Sequence, residues 1–507
     1  MSSGIADNKG GAMRQRFNFT WFRAIAIIAL LVLLSQLGLA IYEFVRHALV
    51  ALPFPFPLEY GEGAILDQVL RLARGEAIYR AGLSGPPFTL TGDPPLFQLV
   101  QTPFARLFGP AFWYGRAIAL IGALLAALFI GLTLHAVTGD RVAAAAGGLT
   151  LLAFPQIMQW SALDHADSLA LALSWAGLFV IVRWPDRRRS AALAAALFAA
   201  AFYTRLAYGL VAPVTALAWL LQGKRYRHAA ALAAWLGGIG LTGFLALNGI
   251  TAGGFSFNLG TANAASFSPV GLMAQLTGLL LNAWLLALGA IGFMVVERWW
   301  YPTRSWPLVT PYVLSAAVVL LFVDRSGAGP NLMYQLAAAL CLAGGAVIAW
   351  PGRGSWLRAG AVLLLALQVN WLAAWSRNDI VPITTQRVRM AAEIAHLAQI
   401  VQDAAGPVLA DEYMGLLPAA GRPLYLQPAE FAQLQRAGRW DASPLIAAIG
   451  RREFSAILLY EPPFGDPMIV ARWPPAVRNA IWANYEPQWW APTQATLAYV
   501  WVYVPRK

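Results

Sequence analysis

Charge is scarce in this sequence. Only 12% of its 507 residues are charged against 59% hydrophobic, and the mean hydropathy is +0.57, which excludes the string of soluble domains that length alone would suggest. Cysteine occurs once, at Cys341 inside an apolar run, so neither a disulfide framework nor a thiolate metal site can be built. No Gly-rich phosphate loop appears, and no solenoid-type repeat recurs. His47, His135, His228 and His396 stand apart without metal-ligand spacing. Acidic residues number 24 against 36 basic, a formal net charge of +12; membrane orientation accounts for that excess, and no nucleic-acid partner is expected.

What the chain has instead is apolar runs long enough to cross a hydrocarbon core of about 30 Å. Eleven are expected as spans, near residues 20–46, 113–137, 142–160, 168–184, 190–204, 206–222, 229–249, 269–296, 307–323, 331–350 and 357–376. The first run has no small-residue cleavage site and is expected as a retained span. Basic residues alternate from loop to loop: Arg14, Arg16 and Arg23 before the first span, Arg141 after the second, Arg183 and Arg187–Arg189 after the fourth, Lys224, Arg225 and Arg227 after the sixth, Arg298 and Arg304 after the eighth, Arg353 and Arg358 after the tenth. Cytoplasmic loops collect Lys and Arg, so the N-terminus is expected inside and the C-terminus outside an inner or plasma membrane. The alternation requires a break at Arg205 within the nearly continuous stretch 190–222.

On that topology residues 47–112 form a long first external loop, beginning with an acidic run, "LEYGEGAILDQVLRLARGEAIYR" at 58–80. Carboxylates next to lipid need water or a purpose. "GAILDQVLRLARG" has apolar residues at helical spacing with Asp67, Arg71 and Arg74 opposite, which predicts a helix lying on the membrane surface. Residues 377–507 change character: a helical stretch, then β-like runs "PVLADE", "RPLYLQ" and "FSAILLYE", and one or two strands at the end. The expected fold is an all-α polytopic membrane domain, 1–376, plus a small extracytoplasmic α/β domain, 377–507.

Several motifs then stand in a particular order: "EYGEG", "ARGEAIY" and "DPPLF" in the first loop, "GRAIALIGALLAALFIG" entering the second span, "WSALDHADSLALALSWAGL" in the second external loop, "FYTRLAYGLVAP" between spans, and "GPNLMYQLAAALCLAGG" entering a late one. In this order they resemble the GT-C membrane glycosyltransferases, particularly bacterial relatives of protein O-mannosyltransferases and aminoarabinose transferases. The resemblance covers roughly residues 20–376. It implies a polyprenyl-phosphate-linked sugar as donor, an external glycan, lipid or protein acceptor, and a first-loop carboxylate as base. Many relatives have Asp followed by Glu in the first motif, whereas this chain has Gly61 followed by Glu62. The base is therefore either Glu62 or, from a shifted position, Glu59.

Each site residue has a second reading. Glu62 and Glu59 are read as general bases or as charges favoured at a helix N-terminus. Asp93, before Pro94, is a sugar or metal contact or a turn starter. Asp164, His165 and Asp167 share one short loop; Asp164 and Asp167 are read as substrate-binding residues or, with His165, as ligands of a divalent cation, although Asp167 and Ser168 are equally natural helix caps. Arg205 lies where orientation asks for no cation, and is read as a bidentate grip on the donor phosphate or as a snorkelling or ion-paired residue. Asn331 and Tyr334 are sugar-contact candidates, and Asp324 with Arg325 reads as a loop pair. The sequence establishes no cofactor, and a divalent cation is the one candidate. The competing functional readings are a transporter or lipid flippase and a non-catalytic envelope assembly protein.

Overall fold

Inside hydrocarbon an apolar stretch satisfies its backbone only by forming a helix or closing a barrel. In the computed structural model of the chain each of the eleven apolar runs is helical over most of its described residues. The structure describes residues 7–262, 269–299, 303–323, 333–350, 356–461, 471–493 and 498–507; Asn331, Asp324 and Arg325 fall outside the described residues. Among the described residues four helical segments are by themselves long and apolar enough to span: Ala24–Ala51 within α1 (Asp7–Ala51), α4 (Trp113–Thr138), α10 (Tyr226–Ile250), and Trp356–Arg389, which begins with α16 (Trp356–Trp375). Shorter apolar helices fill the bundle, among them α5 (Arg141–Thr150), α6 (Pro155–Trp160), α7 (Asp167–Arg183), α8 (Arg188–Thr204), α9 (Val211–Gln222), α14 (Trp306–Val323) and α15 (Tyr334–Ala349).

The expected single span at 269–296 is instead two helices, α12 (Pro269–Asn282) and α13 (Trp284–Trp299), meeting at 89°. The reason is local. Gln368 of α16 donates its amide to the Asn282 carbonyl at 2.6 Å and accepts from the Leu285 amide at 3.0 Å. A polar side chain thus satisfies backbone groups released by the bend, which hydrocarbon would leave bare. At the other doubtful point, α8 ends at Thr204, Arg205 is extended (φ −158°, ψ 125°), and the chain turns through Leu206–Gly209 before α9.

The C-terminal domain follows α17 (Val381–Arg389) and α18 (Ala391–Asp403). Its four-stranded sheet has the order β1 (Val408–Ala410), β2 (Ala456–Glu461), β4 (Ala498–Pro505), β3 (Tyr485–Thr493), with β1 and β2 parallel and the other pairs antiparallel. Helices α19 (Leu416–Ala419), α20 (Pro428–Arg436), α21 (Ser443–Gly450) and α22 (Pro475–Asn484) complete it. "RPLYLQ" does not join the sheet. It runs beside the long loop between α1 and α4, where Phe88 and Leu426 form a parallel bridge, Phe88 N donates to Tyr425 O at 2.7 Å and Leu90 N to the Gln427 side chain at 2.6 Å.

That loop carries α2 (Gly61–Ala73) and α3 (Leu96–Phe108). The amphipathic pattern of α2 is real, with Leu66 and Val69 packed against Ala105, Phe112 and Tyr114, but the expectation of a polar face in water fails. Asp67 and Gln68 are buried, and Asp67 accepts from Leu424 N at 3.4 Å, because the C-terminal domain covers that face. Phe54, Leu58 and Tyr60 share one core with Ile394, Leu397, Met414 and Leu416, so loop and domain bury their apolar surface together.

The tightest point of this docking is Gly63, where an added Cβ would lie 2.5 Å from Gly415 N. Backbone cannot yield as a side chain does. Gly63→Ala is expected to destabilise the protein by about 1–3 kcal/mol, the usual range for overpacking, read as a lowered unfolding temperature in detergent with earlier proteolysis of the C-terminal domain.

Candidate functional site

The ends of α1, α2, α4, α7 and α8 that meet the C-terminal domain converge on one charged cluster. Its centre is Arg116, in the first turn of α4 and wholly buried. All five guanidinium N–H groups are used: Nε and Nη2 donate to Glu62 at 2.8 and 2.7 Å, Nη1 to the Ala51 and Phe54 carbonyls at 2.9 and 2.6 Å, and Nη2 to the Phe56 carbonyl at 2.8 Å. Glu62 also accepts from Leu58 N at 2.7 Å and Asp164 N at 2.9 Å. Four donors occupy both carboxylate oxygens, about the full acceptor capacity. Burial would raise the Glu62 pKa, but Arg116 and the two backbone amides hold it below the ordinary carboxylate value. Such a group has neither basicity nor an approach for an acceptor. The sequence reading of Glu62 as base gives way to a structural ion pair.

Glu59, three residues earlier, is placed differently. Its Oε2 accepts from Gly61 N at 2.5 Å and lies 3.1 Å from His165 Nε2, while the side chain remains 29% exposed. No described residue bonds Oε1. Desolvation lowers the His165 pKa, but the charges of Glu59 and Asp167 outweigh it and Arg205 opposes them, leaving the imidazole above its ordinary value. Beside it, Asp164 is fully buried, accepts from Gln101 at 2.9 Å and fits only because residue 115 is glycine. Burial, and then the Glu62 charge, push Asp164 up to about 8, so it is neutral at pH 7. It backs the site and does not line it, contrary to the substrate-binding expectation.

Asp167 opens α7 without capping it. Its carboxylate lies 3.0 Å from Arg205 Nε and accepts from the Tyr208 hydroxyl at 3.2 Å. Arg205 reaches Asp93 at 3.3 Å with Nη1 and is 20% exposed. The expected phosphate grip is therefore already held by two carboxylates. Tyr334, at the start of α15, is buried close enough to Asp167 and Arg205 to feel both charges. Of the expected set, Asp93, Asp167 and Tyr334 gather at Arg205, and Asp167 and Arg205 bear on His165, which bonds Glu59. Among the described residues no three His, Cys, Asp or Glu side chains gather as a metal site would need.

The C-terminal domain supplies a wall that sequence reading missed. The Tyr60 hydroxyl donates to Glu430 at 2.7 Å, and Arg472 lies 4.9 Å above the Tyr60 ring while reaching Glu412 at 2.6 Å and Asp411 at 3.3 Å. Burial pushes Asp411 up to about 7; it would raise Glu412 as well, but Arg387 and Arg472 hold that group down to about 2. Arg116 carried a usable signal: like Arg205, it begins or ends a span at the end where the positive-inside pattern asks for no cation. His165 carried only its neighbours, Asp164 and Asp167.

The comparisons with known proteins agree with this architecture. Residues 92–247 match the family model described as dolichyl-phosphate-mannose-protein mannosyltransferase. No curated protein sequence matches the chain. Among solved structures, ArnT from Cupriavidus metallidurans in the apo state aligns with a TM-score of 0.59 at 15% identity, over 92% of this chain and 98% of that one, and ArnT bound to undecaprenyl phosphate aligns with 0.58. The oligosaccharyltransferase AglB from Archaeoglobus fulgidus aligns with 0.50 at 12% identity, over 92% of this chain and 74% of its own. The chain has the GT-C fold of membrane glycosyltransferases, an all-α polytopic membrane domain with a small α/β domain at its C-terminus.

Two predictions test the buried centre. Glu62→Gln leaves a buried guanidinium without its counter-charge, which costs about 3–5 kcal/mol; the variant should accumulate poorly and unfold well below the wild type, where a purely catalytic residue would leave stability unchanged. Burial and the Glu62 charge hold the Asp164 carboxyl at about 8 in the folded state, against the ordinary aspartate value of about 3.9. The folded state therefore binds the extra proton across that interval, and stability falls as pH rises through it. Asp164→Asn keeps the acceptor for Gln101 and removes the titration. Its unfolding temperature should exceed the wild type's at pH 8, with the gap closing toward pH 5.

Proposed function

We propose that this protein is a membrane glycosyltransferase that moves a sugar from a polyprenyl-phosphate carrier to an acceptor hydroxyl on the extracytoplasmic side. The observation that carries the reading is that, on a GT-C scaffold, a partly exposed carboxylate, Glu59, meets His165 while a partly exposed guanidinium, Arg205, meets Asp167 of the same loop. Glu59 takes the proton of the acceptor hydroxyl. The freed oxygen bonds to the anomeric carbon as the carbon–oxygen bond to phosphate breaks, and the carrier phosphate departs with that electron pair. Arg205 exchanges its Asp93 contact for phosphate oxygens, neutralising the charge that builds there. Asp93, Asp167 and Tyr334 orient the sugar and the guanidinium, with Asn331 as a further sugar contact. ArnT bound to undecaprenyl phosphate supports a lipid-phosphate donor, and the mannosyltransferase family match supports sugar transfer. The basic-loop alternation supports an inside N-terminus and an outside C-terminal domain.

The acceptor is identified by mass analysis of lipid and envelope extracts from a strain lacking the protein: one glycan modification should vanish and return with the wild-type chain. Glu59→Gln should insert and accumulate normally yet restore about 10²- to 10⁴-fold less modification, the usual loss on removing a general base. Arg205→Ala should weaken undecaprenyl phosphate binding roughly tenfold or more, since charge-assisted hydrogen bonds contribute about 1.5–3 kcal/mol each, and Arg205→Lys should retain part of it. An unchanged envelope, or full restoration by Glu59→Gln, would overturn the proposal.

A further inference from the structure

We infer that Gly61 is the empty half of a relocated base: the Glu59 carboxylate fills the space of the missing side chain at 61, and His165 is the positioning residue that holds it there. The inference rests on the reading of Glu59 as the base. Gly61 is the first residue of α2 and its φ is not positive, so the backbone does not demand glycine. The space does. A Cβ at 61 would lie 2.9 Å from Glu59 Oε2, 3.1 Å from His165 Cε1 and 3.4 Å from His165 Nε2. The two side chains that would collide with it are the two that bond each other, at 3.1 Å. Glu59 therefore reaches back across its own turn, pinned through one oxygen by Gly61 N and His165 Nε2. The motif in which many relatives carry Asp then Glu reads here as Gly then Glu, with the carboxylate delivered from two residues upstream.

His165 is itself held for this task. Its backbone amide donates to Leu163 O at 2.9 Å and its ring meets Trp160 edge to face at 4.7 Å. Charges bear on the pair from every side: Asp167 and Arg205 on His165, the neutral Asp164 adjoining in the chain, and Glu430 of the C-terminal domain on Glu59. The imidazole N–H fixes Oε2 and leaves Oε1 for the acceptor proton. In the transfer step the acceptor proton goes to Glu59, while His165 keeps its own proton and changes only the orientation of the base. His165 thus acts through Glu59 and touches no reacting atom.

The experiment uses the full chain and two readouts. Envelope modification in the deletion strain reports transfer, and histidine-selective NMR titration of the purified protein, which has five histidines, reports the pair, the His165 signal being assigned from a His165→Gln spectrum. Gly61→Ala should accumulate and unfold close to the wild type, because the methyl displaces the flexible end of Glu59 and asks only a few tenths of an ångström of the His165 ring. Transfer should nevertheless drop roughly 10- to 100-fold, as expected for a misplaced reacting group, and the His165 titration should move toward that seen in Glu59→Gln. Combining Glu59→Ala with Gly61→Asp returns a carboxylate to the same space and should recover part of the transfer lost in Glu59→Ala alone. Wild-type transfer and an unmoved His165 titration in Gly61→Ala would overturn the inference while leaving Glu59 as base. Wild-type transfer in Glu59→Gln would instead overturn the reading on which it rests.

Discussion

The buried pair of Arg116 and Glu62 is the constraint on which the rest of this end of the molecule depends. An unsolvated guanidinium is tolerable only when each of its N–H groups finds an acceptor, and here the acceptors come from two separate places: Glu62 of α2, and the carbonyls of Ala51, Phe54 and Phe56 at and just beyond the end of α1. Satisfying one residue therefore fixes the exit of α1, the entry of α4 and the start of α2 relative to one another. Glu62 extends the same demand to Asp164 N, and through it to the loop that carries His165 and Asp167. That loop is positioned by a pair sealed away from solvent.

A second layer of constraint comes from the C-terminal domain. Gly63 meets Gly415, Tyr60 bonds Glu430, and the loop around Phe88 pairs with residues 425–427. These contacts cover the face of α2 that would otherwise lie in water, and they leave Glu59 between the membrane bundle and the domain. Arg472, held above Tyr60 by Asp411 and Glu412, stiffens that wall. An aromatic ring and its hydroxyl are thus tied from both sides, so the residue next to Glu59 has little freedom.

The four carboxylates that open the first loop show how far a linear reading reaches. All stand within one 23-residue stretch, Leu58–Arg80, yet they meet four different fates. Glu62 is sealed in an ion pair, Asp67 lies buried under the C-terminal domain, Glu76 pairs with Arg74 in the open, and Glu59 stays partly exposed against His165. Spacing within the stretch could say which of them share a helix face. It could not say which face another element would cover, because Arg116 is 54 residues from Glu62 and His165 is 106 from Glu59.

The sequence by itself determined the membrane bundle, its eleven apolar runs, the break at Arg205 and the mixed character of the C-terminal region. Each of these follows from local composition: apolar length against bilayer thickness, basic residues against loop order, β-branched runs against turns. Tertiary structure alone decided the bend at Asn282, which needs Gln368 from a distant helix to satisfy its backbone. It alone decided that "RPLYLQ" pairs with a loop and not with the sheet. It also separated a saturated, buried Glu62 from a half-open Glu59. Whether a carboxylate is a strut or a base depends on how many donors surround it and whether water and substrate can reach it, and both are properties of residues brought together from far along the chain.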